Sequence, residues 1–265
     1  MTRRSYKKPH RAKRKKPLYA KAAFWRLVLG CFVILGGIWL VCFAPVLEVK
    51  EINVSGSEKI NNQDCAKIIE QEVAKKIALF ESKSILLFNL DRVKKEILAK
   101  YPQIQDIKIE REFPSKIFAS LQERRGVAFL NNNNDKFYLI DGDGIAFEEC
   151  AQQTDLIEIT NDRQQEVNLG SQVIPKDLLS TILKIKGEMQ SSMQINVLMV
   201  DIATAERLNF QTSDGWFVYF NPLKDTGTQL TKLAAVLGDE TFKTKKANLE
   251  YIDVRFTRVY LKEKQ

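Results

Sequence analysis

Histidine is almost missing: the 265 residues contain one, His10, and it stands near the N-terminus. Everything downstream therefore lacks the Ser-His and Cys-His couples of nucleophilic catalysis and the imidazole ligands of most zinc sites. Four cysteines (Cys31, Cys42, Cys65, Cys150) show no CxxC spacing, so neither a disulfide framework nor a zinc site is legible. Cys65 and Cys150 read as small apolar residues of an interior. No G-x-S-x-G, H-E-x-x-H or G-K-[ST] string occurs. Asp141-Gly142-Asp143-Gly144 begins like a calcium loop, but Ile145 and Ala146 replace the oxygen ligand and the glycine that should follow. A β-turn is the better reading. The acid pairs Glu148-Glu149 and Asp239-Glu240 would point to opposite faces of a strand and read as surface. No catalytic, cofactor or metal residue is nominated. Only seven prolines and twelve glycines, with 45% apolar residues, exclude collagen-like and wholesale disordered chains.

Acidic residues are absent from the first 26 positions, which carry eleven Lys/Arg. The remainder holds 30 Lys/Arg against 33 Asp/Glu, so the net +8 is a basic tail on a mildly acidic body. Long hydrophobic runs are also scarce. One exists, Leu27 to Leu47, 21 residues without a charge. As a helix it reaches across a bilayer core of roughly 30 Å, with Trp25 and Trp39 as interfacial aromatics. A cleaved signal peptide has a shorter apolar region of about 7–15 residues, so the run reads as an uncleaved anchor. The twenty residues after it hold three lysines (Lys50, Lys59, Lys67). The charge bias therefore predicts a cytoplasmic N-terminus and an exported body from Glu48 onward. The tail (Arg3, Arg4, Lys7, Lys8, Arg11, Lys13 to Lys16) would lie beside anionic lipid headgroups, with no need of nucleic acid. In the span, Gly30, Gly37 and Ala44 recur every seven residues and would give another helix close approach on one face.

The body reads as α+β. Val49, Ile52 and Val54 suggest a strand ended by Gly56. Asn61 caps a helix with Cys65, Ile68, Ile69, Val73 and Ile77 at helical spacing, and Asn89 opens a second with Leu90, Val93, Ile97 and Leu98, stopped by Pro102. Ile107 and Ile109 alternate with charges, Phe113-Pro114-Ser115 turns the chain, and Ile117, Ala119 and Leu121 alternate back. The result is a βααββ unit with two helices on one face of a small sheet. From Val127 the pattern is β-rich: 136–140, a turn, 145–148, 198–202, 207–212, 216–221, 249–255 and 258–262. Two helices interrupt it. One opens at Pro175 with Leu178, Ile182, Ile185 and Met189; the other shows Leu230, Leu233, Ala234 and Leu237 and closes at Gly238. The expected segments are 1–26 basic tail, 27–47 transmembrane helix, 48–124 βααββ domain, 125–262 β domain and a short end at 263–265.

Several strings then match a family in order. Ser84-Ile85-Leu86-Leu87-Phe88-Asn89-Leu90, Tyr101-Pro102-Gln103-Ile104, Arg111-Glu112-Phe113-Pro114-Ser115-Lys116-Ile117 and Gln122-Glu123-Arg124-Arg125-Gly126-Val127-Ala128 precede Tyr138 to Phe147 and Tyr251-Ile252-Asp253-Val254-Arg255-Phe256. Together with the tail, the span and the βααββ unit they resemble the FtsQ/DivIB cell-division family. Gly126 stands where that family has proline, and the glycine usual before its N-L-F segment is missing. The resemblance implies a POTRA domain followed by a β domain, and a non-catalytic, cofactor-free scaffold at the bacterial division septum. It implies binding to the bitopic coiled-coil proteins FtsB/DivIC and FtsL, and through them to the septal peptidoglycan synthase FtsW–FtsI.

In that family the last strands of the β domain accept a partner strand. The matching positions are Phe256, Arg258, Val259, Tyr260, Leu261 and Lys262. A last strand is often an edge with unpaired backbone groups. The alternative for these residues is that Val259 and Leu261 fill the core while Tyr260 is merely exposed. Two other functions compete for the whole chain: a POTRA-bearing component of an export assembly, and a membrane-anchored cell-wall hydrolase.

Overall fold

The computed structural model of the protein describes residues 22–74, 76–77, 80–132, 136–151, 155–161, 166–239 and 246–264. The lipid contact expected for Arg3 to Lys16 lies outside the described residues. Ala22–Phe43 is one 22-residue helix, α1. It starts and stops earlier than the uncharged run. Pro45 has no N–H for the Val41 carbonyl and disfavours helical backbone at Ala44, so 44–47 leave as a turn closed by Leu47 N–H to Ala44 O at 2.9 Å. Phe24–Val41 is long and apolar enough to cross a membrane, and none of that segment is buried within the chain. Gly30 and Gly37 lie inside α1. Ala44 follows it directly, its N–H still bonded to Leu40 O at 3.0 Å.

Density of contacts divides the chain into two units. One is Met1–Val54 with Gln63–Val93 and Ile109–Ala119; the other is Ser55–Asn62 with Lys94–Lys108 and Ser120–Gln265. The elements that follow α1 are β1 (Glu51–Ser55), α2 (Asn62–Val73), a short hairpin of β2 (Lys76–Ile77) and β3 (Phe80–Glu81), α3 (Leu90–Lys100), β4 (Ile104–Glu112) and β5 (Lys116–Glu123). The order β1-β5-β4 makes a three-stranded sheet. Along β5 the predicted alternation is realised, with Ile117, Ala119 and Leu121 buried and their neighbours exposed. Asn89 caps α3 through Oδ1, which accepts from Asp91 N–H at 3.0 Å and Arg92 N–H at 3.2 Å. Gly56 sits at φ +97°, and a Cβ there would run into the Leu121 carbonyl, which is why glycine ends β1. Ile77, expected on the same helix as Val73, lies instead in the hairpin β2–β3: α2 ends at Val73, and two residues a side are too few to show a strand period.

The remaining strands are β6 (Ala128–Asn131), β7 (Phe137–Ile140), β8 (Ala146–Cys150), β9 (Ile157–Asn161), β10 (Val197–Thr204), β11 (Arg207–Thr212), β12 (Phe217–Phe220), β13 (Leu249–Asp253) and β14 (Tyr260–Glu263), with helices α4 (Lys176–Met193) and α5 (Thr226–Leu237). They form one nine-stranded sheet in the order β14-β13-β12-β11-β10-β9-β6-β7-β8. Two pairings explain the helices. β9 and β10 are parallel across α4, and β12 and β13 are parallel across α5. Parallel neighbours need a crossover of this kind, whereas the antiparallel hairpins need only turns.

One face of the sheet and the two helices share a single core that includes Leu179, Ile182, Ile185, Met189, Leu230 and Leu233. Leu179, not the predicted Leu178, is the buried leucine of α4. The spacing 179, 182, 185, 189 keeps one narrow stripe, and Leu178 flanks it. Ala234 is exposed. Gly238 caps α5 as expected, in right-handed backbone at φ −78° with its N–H donating to Ala234 O at 3.1 Å; Gln194, at φ 55°, is the left-handed cap of α4.

Candidate functional site

A nine-stranded sheet that does not close has two edges, and each must be covered, charged or used. The β8 edge is covered and charged. Chain 168–173 runs along its start, with Gly170 N–H donating to Ala146 O at 2.7 Å, Ala146 N–H to Ser171 O at 3.1 Å and Val173 N–H to Gly144 O at 2.9 Å. Farther on, Glu148 pairs with Lys59 at 2.6 Å and Glu149 with Lys136 at 3.5 Å.

The β14 edge is different. All four of its residues are exposed, and among the described residues β13 is its one neighbour in the sheet. Register places it in two cross-strand rows. On the core face the row is Tyr138, Leu130, Ile159, Val200, Phe210, Val218, Ile252, Leu261. Each member is buried until the last, Leu261, which is 46% exposed. On the opposite face the row is Asn131, Thr160, Asp201, Asn209, Tyr219, Asp253, Tyr260, and Tyr260 is 55% exposed. Both faces of β14 thus present apolar or aromatic surface where the sheet stops, and a strand's outward N–H and C=O groups lie between them.

The approach to β14 is built to hold its shape. Asp253 grips Arg255 with two bonds, Nε to Oδ1 at 3.0 Å and Nη2 to Oδ2 at 2.7 Å, and the guanidinium lies 5.1 Å from the Phe256 ring and 5.8 Å from that of Tyr219. The Asp253 bond holds the Arg255 pKa up, against the opposing effect of burial. Phe256, 48% exposed, meets Tyr260 edge to face at 6.0 Å. From α5, Lys232 Nζ donates to Val254 O at 2.9 Å and to Phe256 O at 2.7 Å, and so pins the loop that presents Phe256. Val259 is partly buried against the core. Arg258 is exposed, and Lys262 reaches Glu250 Oε2 at 2.9 Å, the bond that raises its pKa. Of the residues the sequence singles out, then, Phe256 and Tyr260 form one exposed aromatic pair, Leu261 is exposed on the opposite, core face of the strand, Arg258 and Lys262 are exposed beside them, and Val259 faces inward. Tyr219 and Lys232 support this edge through partners distant in sequence, which no local pattern shows, and Asp253 supports it through Arg255, two residues on.

One other polar cluster is structural. Arg124 is ion-paired through Nη1 with Asp141 Oδ2, both largely buried, and Asp141 Oδ1 accepts from Asp143 N–H and Ile145 N–H at 3.0 Å each. The Asp-Gly-Asp-Gly string is thereby a turn organised by its first carboxylate. Among the described residues no group of His, Cys, Asp and Glu could hold a metal. Cys65 is fully buried, and burial pushes the Cys150 thiol up, away from reactive thiolate.

These features define the class: a chain with, among the described residues, one helix of membrane length, a POTRA-type βααββ unit and a mixed β domain with one uncovered edge. The family model for the FtsQ-type POTRA domain matches residues 47–124, and that for the C-terminal domain of cell division protein FtsQ/DivIB matches 128–255. The chain belongs to the FtsQ/DivIB family and has a role in cell division. Its single N-terminal apolar helix fits a single-pass membrane protein of the division site. β14 lies beyond the matched residues. No curated protein matches the chain.

Proposed function

We propose that this protein is a non-catalytic scaffold of the divisome that captures a partner by adding a strand to β14. The observation that carries the reading is the core-face row, whose seven buried members continue into an exposed Leu261 at an edge that has no second neighbour among the described residues. A strand laid beside β14 would cover Leu261 on one face and Tyr260 on the other while its backbone pairs. The partners are FtsB/DivIC-like and FtsL-like bitopic proteins, and through them the scaffold positions and regulates the FtsW–FtsI synthase. The N-terminus is cytoplasmic, with its basic tail on anionic headgroups, and the body is outside. An exported body without histidine supports a binding role over a hydrolytic one.

The test is capture of the partner pair from membranes by the full chain. Tyr260→Glu should weaken capture at least tenfold while the thermal midpoint stays close to wild type, since Tyr260 is exposed; undiminished capture would sink the strand-addition reading. Depletion tests the broader role. Filamentous cells with early division rings still present are expected; a secretion defect would point to an export component, and altered wall-degrading activity to a hydrolase.

A further inference from the structure

The end of α1 is not a free tether. Pro45 cannot donate to the Val41 carbonyl, and the Ser84 hydroxyl takes its place, donating to Val41 O at 2.7 Å. Around it the backbone pairs. Ile85 N–H donates to Leu47 O at 2.9 Å, Val49 N–H donates to Lys83 O at 3.1 Å, and Glu48 lies opposite Ser84. Segments 47–49 and 83–85 therefore form a clasp closed on the last turn of the helix. Counted from Leu27, after the charged Arg26, the uncharged part of α1 is about 26 Å long against a hydrocarbon core of about 30 Å, so its last turn lies close to the boundary between hydrocarbon and headgroups. Ser84, one hydrogen bond from Val41, lies at the same depth.

The side chains around the clasp suit that depth. Val46 is 64% exposed, Phe43 39% and Leu86 38%, although all three are large and apolar. Lys83 keeps a side chain 60% exposed and only a loose 3.8 Å approach to Glu48. A cleft of about 280 Å³ opens beside it, lined in part by Phe43, Pro45, Lys83 and Ser84. Exposed apolar groups next to a flexible cation are the composition of a surface that lies in a lipid interface, where a lysine stem can run along the apolar layer and its ammonium reach phosphate.

We propose that 43–48 and 82–86 form a collar seated in the bilayer surface on the C-terminal side of the span, with Val46 and Leu86 at the headgroup–acyl boundary and Lys83 among the phosphates. The occupant of this surface is lipid, supplied by the membrane α1 already crosses. The collar rests on α1 being a span and holds for either orientation of the chain. It ties 83–85 to the end of the helix, so that α1 is held at two points in sequence, there and where the chain leaves it.

The experiment places an environment-sensitive fluorescent amino acid at 34, 46, 86 or 118 of the full chain in vesicles of phosphatidylethanolamine and phosphatidylglycerol. Quenching is read with nitroxide lipid labelled near the headgroup end of the acyl chain. Positions 46 and 86 should be quenched several-fold more than 118, where Phe118 is an exposed strand residue. Quenching at 86 no greater than at 118 overturns the collar while a quenched position 34 keeps the span. An unquenched 34 removes the span and the collar together. With the probe at 46, Leu86→Asp should lower quenching several-fold at an unchanged thermal midpoint; quenching that does not move removes Leu86 from the membrane surface.

Discussion

Arg124 is held from three directions: its N–H bonds Gln103 O at 2.8 Å, Nε bonds Pro102 O at 3.0 Å, and Nη1 pairs with Asp141. Removing one member of a buried pair leaves the other charge without compensation, at a cost of about 3–5 kcal/mol. Asp141→Ala should lower the unfolding free energy by that amount in denaturant titration. A change near zero would mean that water replaces the carboxylate. Glu123 gives a pH-dependent counterpart. Its Oε1 accepts from Ser57 Oγ at 2.6 Å and from Glu58 and Lys59 N–H at 2.9 Å each, and the Ser57 bond is the leading cause that lowers its pKa. A carboxylate lowered in the folded state contributes stability above its unfolded pKa of roughly 4.3, and loses it as pH falls through the lower folded value. Thermal midpoints should therefore show Glu123→Gln less stable than wild type at neutral pH, with the gap closing as the solution is acidified below about pH 4.

Among the elements, α5 does two things that the sheet needs. As the crossover of a parallel pair it puts β13 beside β12, and through Lys232 it fixes the loop leading to β14. Lys232→Met keeps the aliphatic stem and removes both bonds. Faster amide exchange over 254–259 and weaker partner capture are expected, with the helix content unchanged; capture at wild-type strength would show that the loop orders itself. Much of this level was legible in advance. β11 runs over the predicted residues, and alternation marked β4 and β5. β9 was not legible, because Leu156 and Ile157 are adjacent and only Ile159 follows at strand spacing, too short a run to show a period. Yet β9 is the strand that joins the two halves of the sheet, parallel to both β6 and β10.

For the molecule as a whole, the arrangement is one apolar helix, a clasp at its end, and a body whose last strand is uncovered. The charge asymmetry of the sequence predicts that this body lies outside the cytoplasm. An enzyme reporter that works only in that compartment, fused after Lys262, should be active. Activity from a cytoplasm-dependent reporter at the same point would reverse the topology and leave the free edge facing a different set of partners.

What the sequence by itself determined was whatever depends on neighbours along the chain: the single uncharged run, the βααββ order, the alternation of most strands, and the absence of histidine chemistry. The family strings belong to that level too, since each is a turn or a strand start. Strand order was decided only by the tertiary structure. Whether β14 is an edge depends on β13 pairing with β12 across α5, and whether Leu261 is bare depends on how far the helices extend over its row. The Pro45 carbonyl gap was readable in principle, but Ser84, 39 residues farther on, became its partner only through folding. Hydrogen bonds and burial between distant segments follow from packing geometry, which local periodicity does not encode.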